Sequence, residues 1–198
     1  LTNSLKAKAK DAVFLATGQT GICISGNGIP LDAYKVDYAS GAVEEMVLKY
    51  KNNEYLIIEG QGSLLNPGST ATLPLMRGSC PTALVLCHRL GLRVVESETK
   101  ILIPPLEQVI SLNEQLVTGL NSFPTAKVKA VALDTRGYDH ASAINEISKM
   151  EDKLNLPVTD PVRFSAKKIA NALIYLNWLP KVIYLILNSV LTYLHLIE

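Results

Sequence analysis

Four polar segments, each closing an apolar run, hold the residue types that could do chemistry here. Glu59 follows Tyr-Leu-Ile-Ile and precedes Gly60, Gln61, Gly62 and Ser63. Thr17 ends the run DAVFLAT (11–17), and Gly18, Gln19, Thr20 and Gly21 continue it. A third run, ALVLCH (83–88), ends in Cys87 and His88, with Arg89 next. A fourth, KVKAVALDT (127–135), ends in Asp134 and Thr135, followed by Arg136 and Gly137. A carboxylate such as Glu59 suits a phosphate-bound Mg²⁺, which prefers one or two carboxylates plus phosphate oxygens and water. It equally suits general-base work. The structural alternative is a strand-end carboxylate held by backbone N–H groups of a glycine loop. Asp37, ahead of an apolar pattern at 38–50, is a helix N-cap or a second carboxylate facing a metal or substrate. His88 is a base or a hydrogen-bonded packing residue. Arg136 could clamp a carboxylate or phosphate through its guanidinium fork, or lie solvated at the surface. Cys87 and His88 are adjacent, and adjacent strand residues face opposite ways, which disfavours a Cys–His dyad.

These segments need a frame that brings them together. Apolar runs at 11–17, 54–60, 83–88, 127–135 and 156–161 read as strands. Helical spacing at 38–50, after Pro104–Pro105, around 144–154 and from about Ser165 separates them, and GQTGICISGNGIP (18–30) reads as a loop. Strands apolar on both faces, alternating with helices, predict an α/β fold: a doubly wound, mostly parallel sheet with helices on both faces. In such sheets ligands bind beyond the carboxyl ends of the strands, where all four polar segments lie.

Composition narrows the function classes. Of 198 residues 48% are hydrophobic and 19% charged, and the net charge is +1. A disordered chain and a protein riding a nucleic-acid backbone are both disfavoured. Cys23, Cys80 and Cys87 form no CxxC pair, so neither a zinc ribbon nor a disulfide framework is signalled; a reduced, cytoplasmic protein with buried thiols is expected. No Gly-Lys pair occurs, so no GxxxxGK[ST] phosphate loop is present, and no GxGxxG opens a helix. The first ten residues read as the back half of a helix. Residues 1–178 read as one α/β domain and 179–198 as an added amphipathic helix with a broad apolar face, removable without loss of the core. Its single lysine, Lys181, argues against a membrane-surface role.

ATGQTGICISGNGIPLDAYKVDYASGAVEEMV, LIIEGQGSLLNPG, PTALVLCH, ALDTRG and LPVTDPVRF, in that order over about residues 1–176, resemble the D-glutamate N-acetyltransferase family. The resemblance implies the C-terminal, P-loop-type domain of a two-domain protein, similar to dethiobiotin synthetase. It also implies a fragment that lacks the phosphate loop and the strand before it. It implies a cytoplasmic, homo-oligomeric enzyme that acetylates the amine of D-glutamate from acetyl-CoA in D-amino-acid catabolism. On that reading Glu59 and His88 are candidate bases. Thr17, Gly18, Gln19, Thr20, Gly21, Gly60, Gln61, Gly62 and Arg136 are the candidate substrate-binding set. By similarity to dethiobiotin synthetase, Glu59 and Asp37 are metal ligands if Mg-ATP is bound. Asp134 and Thr135 then lie near a nucleotide base, with Asp134 standing where an Asn is expected. The alternatives are an ATP- and Mg-dependent enzyme of the dethiobiotin-synthetase type, and an inactive truncated module.

Overall fold

The structure is a computed structural model that describes residues 1–95, 100–175 and 181–187. In chain order it runs α1 (Thr2–Lys6), β1 (Ala12–Leu15), α2 (Gln19–Ser25), a 3₁₀ turn (Leu31–Ala33), α3 (Val36–Lys49), β2 (Tyr55–Ile58) and α4 (Thr72–Ser79). It continues with β3 (Ala83–Arg89), β4 (Val94–Val95), β5 (Ile101–Leu102), α5 (Leu106–Thr118), β6 (Lys127–Asp134), α6 (His140–Leu154), β7 (Val158–Thr159), α7 (Lys167–Ile174) and β8 (Lys181–Leu187).

Six strands form one sheet in the order β1-β2-β8-β3-β6-β7, every neighbouring pair parallel. The expected α/β class is therefore observed. β4 and β5 form a separate antiparallel pair. The continuous apolar runs have the physical cause read from the sequence, because a parallel sheet buries both faces. Alternate residues of each strand feed two core layers. Leu56, Ile58, Leu84 and Leu86 pack with α3 and α4 residues on one face. Tyr55, Ile57, Val85 and Cys87 pack with Leu5, Ile169 and Leu173 on the other.

Three sequence expectations are corrected. The glycine-rich stretch 18–30 is not loop throughout. Gly18 is the N-cap of α2, and Gly26, at φ +70°, closes it in the left-handed conformation that glycine adopts freely. Asp37 does not cap α3; Lys35 holds that position, and Asp37 is an exposed residue of the first turn.

The largest correction concerns the tail. Residues 181–187 are not part of an amphipathic helix but form β8, between β2 and β3. Short apolar runs fit helix and buried strand alike by periodicity. Val182, Ile183, Tyr184 and Ile186 favour the pleated, two-sided burial of a central strand, and each is 5% exposed or less. Lys181 lies at the sheet's N-terminal edge, with Nζ 3.2 Å from Glu54 Oε1 and 4.5 Å from the centre of the Tyr55 ring. The remainder of the predicted helix, 188–198, lies outside the described residues.

Candidate active site at the carboxyl edge of the sheet

Because all six strands run parallel, the polar segments that close β1, β2, β3 and β6 do lie on one edge. They form two groups there.

The first group joins the ends of β1 and β2. Glu59 projects across to the neighbouring loop, where Oε2 accepts the backbone N–H of Thr17 at 2.7 Å and of Gly18 at 3.1 Å. The Thr17 hydroxyl donates back to the Glu59 carbonyl at 3.1 Å, and Gln61 Nε2 donates to the Thr17 carbonyl. Gly21 must be glycine, because a Cβ there would stand 2.5 Å from Glu59 Oε2 and 2.8 Å from the Ala16 methyl. Glu59 is 4% exposed, and its second oxygen, Oε1, is buried without a hydrogen-bond partner. Burial pushes its carboxyl above the ordinary glutamate range, against the pull of the Thr17 and Gly18 N–H groups. One oxygen is thus anchored, and the other is left for a proton, a cation or a ligand.

Beside this group lies an open cleft of about 480 Å³, lined by Asp32, Tyr34, Gln61, Gly62, Asn66 and Ser69 among others. Gln61 belongs to both, as it lines the cleft and ties Thr17. Gly62 sits at φ +65°, and a Cβ there would overlap the Ser69 hydroxyl. Asp32 is the charged residue of the cleft's described lining and accepts a hydrogen bond from Gln19 Nε2 at 2.7 Å. Thr20 is exposed in the first turn of α2, and Gly60 is buried.

The second group closes β6 and β7. Arg136 Nε meets Asp134 Oδ2 at 2.6 Å. Asp160 Oδ2 takes the Thr135 N–H at 3.0 Å and the Thr135 hydroxyl at 2.5 Å, while Oδ1 takes the N–H groups of Val162 and Arg163, each at 3.0 Å. Burial opposes the charge on Asp160. The hydrogen bonds from the Thr135 hydroxyl and these backbone groups outweigh it and hold the carboxyl below the usual aspartate range. Thr135 is fully buried and engaged in this lock. Asp160 was not among the sequence candidates; its signal is an acid at the carboxyl end of β7, in Val-Thr-Asp-Pro.

The structure does not bring all the predicted residues together. Three strand spacings, about 14 Å, separate β2 from β6, so Arg136 stands apart from the cleft. Ile58, Tyr184 and Leu84 are in register, which puts Glu59 level with Val85 and His88 three residues further on. His88 is therefore about 10 Å along the strands and about 10 Å across them from Glu59. His88 is 5% exposed, and burial lowers its pKa to about 4. Burial pushes the neighbouring Cys87 thiol up to about 12, so it is no nucleophile at neutral pH. Cys87 is the buried thiol of the three; Cys23 and Cys80 are exposed, contrary to expectation. Among the described residues no three His, Cys, Asp or Glu side chains converge on a metal position.

The family model for a domain of unknown function, the DUF1611 C-terminal P-loop domain, matches residues 1–170. The chain belongs to that family. Two relatives named D-glutamate N-acetyltransferase support the expected resemblance. One, from Tritonibacter scottomollicae, is 31% identical over 170 residues, covering 85% of this chain and 50% of that protein. The other, from a Pseudoalteromonas species, is 32% identical over 164 residues, covering 82% and 49%. The crystal structure of a DUF1611 family protein from Anabaena variabilis superposes with a TM-score of 0.82 at 47% identity, covering 86% of this chain and 50% of that one. The chain thus spans about half the length of the curated relatives it matches. No described helix is long and apolar enough to cross a membrane.

Proposed function

We propose that this domain takes part in acetyl transfer from acetyl-CoA to the amine of D-glutamate, with Glu59 as general base and the adjacent cleft as the amino-acid site. The observation that carries this reading is the Glu59 carboxylate, with Oε2 fixed by Thr17 and Gly18 and Oε1 buried and free. The names of the two relatives support the reaction class. An ammonium must lose a proton before it can attack, and a carboxylate whose affinity for protons is raised by burial accepts one better. The freed amine lone pair then forms the C–N bond at the thioester carbonyl. The C–S bond breaks, and the CoA thiolate leaves and takes up a proton. Asp32 attracts the substrate ammonium into the cleft. The Gly18 N–H, expected among the donors to the developing oxyanion, is committed to Glu59 instead. A cytoplasmic setting belongs to the same proposal and is in keeping with three free cysteines.

The free Oε1 also favours a second reading, a Mg-nucleotide enzyme. Oε1 fits one oxygen position of a Mg²⁺, and the bound ion would neutralise phosphate charge. Asp37, exposed on α3, adds no contact to Glu59 among the described hydrogen bonds and ion pairs. The test is release of CoA thiol from acetyl-CoA by this chain, with and without D-glutamate and with and without Mg-ATP. The first reading expects release that depends on D-glutamate, needs no nucleotide, and falls about 10²-fold or more in Glu59→Gln. Turnover that requires Mg-ATP transfers the assignment to the second reading. Folded protein that is inert under every condition leaves the domain as a module inactive by itself.

A further inference from the structure

Gln61 lines the cleft and at the same time reaches the clasp that holds Glu59. Its Nε2 donates to the Thr17 carbonyl. That carbonyl and the Gly18 N–H belong to one peptide group, and the Gly18 N–H donates to Glu59 Oε2 at 3.1 Å. Three groups therefore stand in series: the Gln61 amide, the 17–18 peptide and the Glu59 carboxylate. Hydrogen bonds in series polarise one another, so a donor on the carbonyl strengthens donation from the N–H of the same peptide. The local sequence keeps the amide in place. A Cβ on residue 18 would stand 2.7 Å from Gln61 Nε2, so glycine lets the amide lie against the peptide. At its root, the Gln61 backbone carbonyl accepts from the Thr72 hydroxyl at 3.4 Å, in the first turn of α4. A carbonyl only accepts, which makes Nε2 the end of the amide that faces Thr17.

We propose that Gln61 is a positioning residue that couples occupancy of the cleft to Glu59 through the 17–18 peptide. The coupling rests on the reading of Glu59 as general base and of the cleft as the amino-acid site. With its amide on the Thr17 carbonyl, Gln61 strengthens the Gly18 N–H and favours the Glu59 carboxylate. The carboxylate of an amino acid entering the cleft is a stronger acceptor than a peptide carbonyl, and it draws the amide away. The Gly18 bond then weakens, and Glu59 gains proton affinity as the substrate ammonium arrives to give a proton up. Burial and the Thr17 and Gly18 N–H groups set the balance at this carboxyl, so a change at either N–H is felt there. Among the described residues, the titratable groups on adjoining elements are Cys23 on α2, Tyr184 on β8 and Asp32 in the cleft wall, and none of them enters that balance.

The Glu59 side-chain carboxyl of the full chain is followed by carbon-13 NMR across a pH titration, its resonance assigned by its loss in Glu59→Gln. Gln61→Met keeps the length of the side chain without a donor, and the Glu59 midpoint should rise by about 0.3–0.6 pH unit. Gln61→Glu adds a like charge, and the rise should reach about one unit or more. Saturating D-glutamate should raise the midpoint further in the wild type than in Gln61→Met, by about the same 0.3–0.6 unit. That difference isolates Gln61 from the direct charge of the ligand. Gln61→Glu provides the same comparison where Gln61→Met does not fold. A purely structural Gln61 would lower the Tm of its variants and leave the Glu59 midpoint where it was, which overturns the proposal. So does a D-glutamate effect of equal size, zero included, in the wild type and the variant. Turnover retained in Glu59→Gln would sink the general-base reading without moving these midpoints, so the two failures are told apart.

Discussion

Glu59 and Thr17, 42 residues apart in sequence, are tied by two reciprocal bonds: the Thr17 N–H to the Glu59 carboxylate, and the Thr17 hydroxyl to the Glu59 carbonyl. This clasp makes the ends of β1 and β2 one unit. It turns a glycine-rich turn into a fixed wall and leaves one carboxylate oxygen uncommitted.

Replacing Glu59 with Gln separates its chemical role from its structural cost. The folded pKa is raised by burial, so over the window from the ordinary glutamate value up to the raised value the folded state holds more protons than the unfolded one. Stability therefore falls as pH rises through that window, and the ionised carboxylate is a net cost at neutral pH. Glu59→Gln keeps an acceptor for Thr17 and Gly18 without the charge. We expect a higher Tm at pH 7, loss of that pH slope, and activity down by about 10²-fold or more. A lower Tm at pH 7 would mean that the two N–H bonds need the full negative charge.

Gly21→Ala tests the packing behind the clasp. The new methyl would stand 2.5 Å from Glu59 Oε2 and 2.8 Å from the Ala16 side chain, with the Glu59 Cδ at 3.0 Å. Either the carboxylate or α2 must shift. The expected cost is about 1–3 kcal/mol by overpacking, read by chemical denaturation, with activity falling further than Gly26→Ala, where a Cβ meets nothing within 4 Å. Equal effects at the two positions would show that the left-handed φ of Gly26, and not contact with Glu59, dominates.

Much of this frame was legible in the sequence because a buried parallel strand writes a continuous apolar run, and β1, β2, β3 and β6 all do so. Their polar ends could be placed on one edge by topology alone. Pairing across that edge was not legible. No local spacing says that Glu59 bonds Thr17 and Gly18 instead of its own glycine loop, or that Thr135 is consumed by Asp160. α4 and the short β4–β5 pair passed unseen, since Thr72–Ser79 includes Pro74 and Gly78 and the two strands are two residues each. β8 was misread for a different reason: seven apolar-rich residues carry helical and strand periodicities alike, and the two-sided slot between β2 and β3 decides which one is realised.

His88 should give the protein an acid-limb instability. Its folded pKa is lowered to about 4 by burial, whereas an unfolded histidine titrates near the ordinary value of 6.5. Above pH 6.5 both states are neutral and the group contributes no slope. As pH falls below that, the unfolded state takes up the proton first, so stability is lost progressively until about pH 4, by about 3 kcal/mol in all. His88→Gln should flatten this limb in denaturation curves taken between pH 7 and 4. Kinetic constants near neutral pH should change little if His88 is a packing residue, and a large fall in turnover with intact stability would return it to the list of bases.

Asp160 should matter for stability more than its exposed loop neighbours. Its two oxygens take four hydrogen bonds, two of them from Thr135. Asp160→Ala leaves the two buried Thr135 donors unpaired beside the end of β7, at a cost of about 2–4 kcal/mol. Thr135→Val removes the hydroxyl bond but keeps the backbone one, so a loss of about 1–2 kcal/mol is expected. The double variant should fall short of the sum, since both changes break the same contact. Full additivity in denaturant titrations would show that the two residues act independently.

Deleting residues 179–198 gives the sharpest contrast between the two readings of the tail. An amphipathic helix lying outside the core could be removed with a gain in solubility. A central strand cannot, because its loss exposes the inner edges of both β2 and β3. Those edges are apolar and would carry unpaired backbone groups, features that drive edge-to-edge association. They also lie at the middle of both core layers, so the damage is not confined to one face. The truncated chain should therefore lose cooperative thermal unfolding, bind a hydrophobic dye such as ANS, and aggregate at concentrations where the full chain does not. Far-ultraviolet circular dichroism should retain part of its helical signal, since α3, α5 and α6 carry their own amphipathic faces. A truncated chain that stays monomeric and unfolds cooperatively near the wild-type Tm would show that β2 and β3 can close on each other without β8.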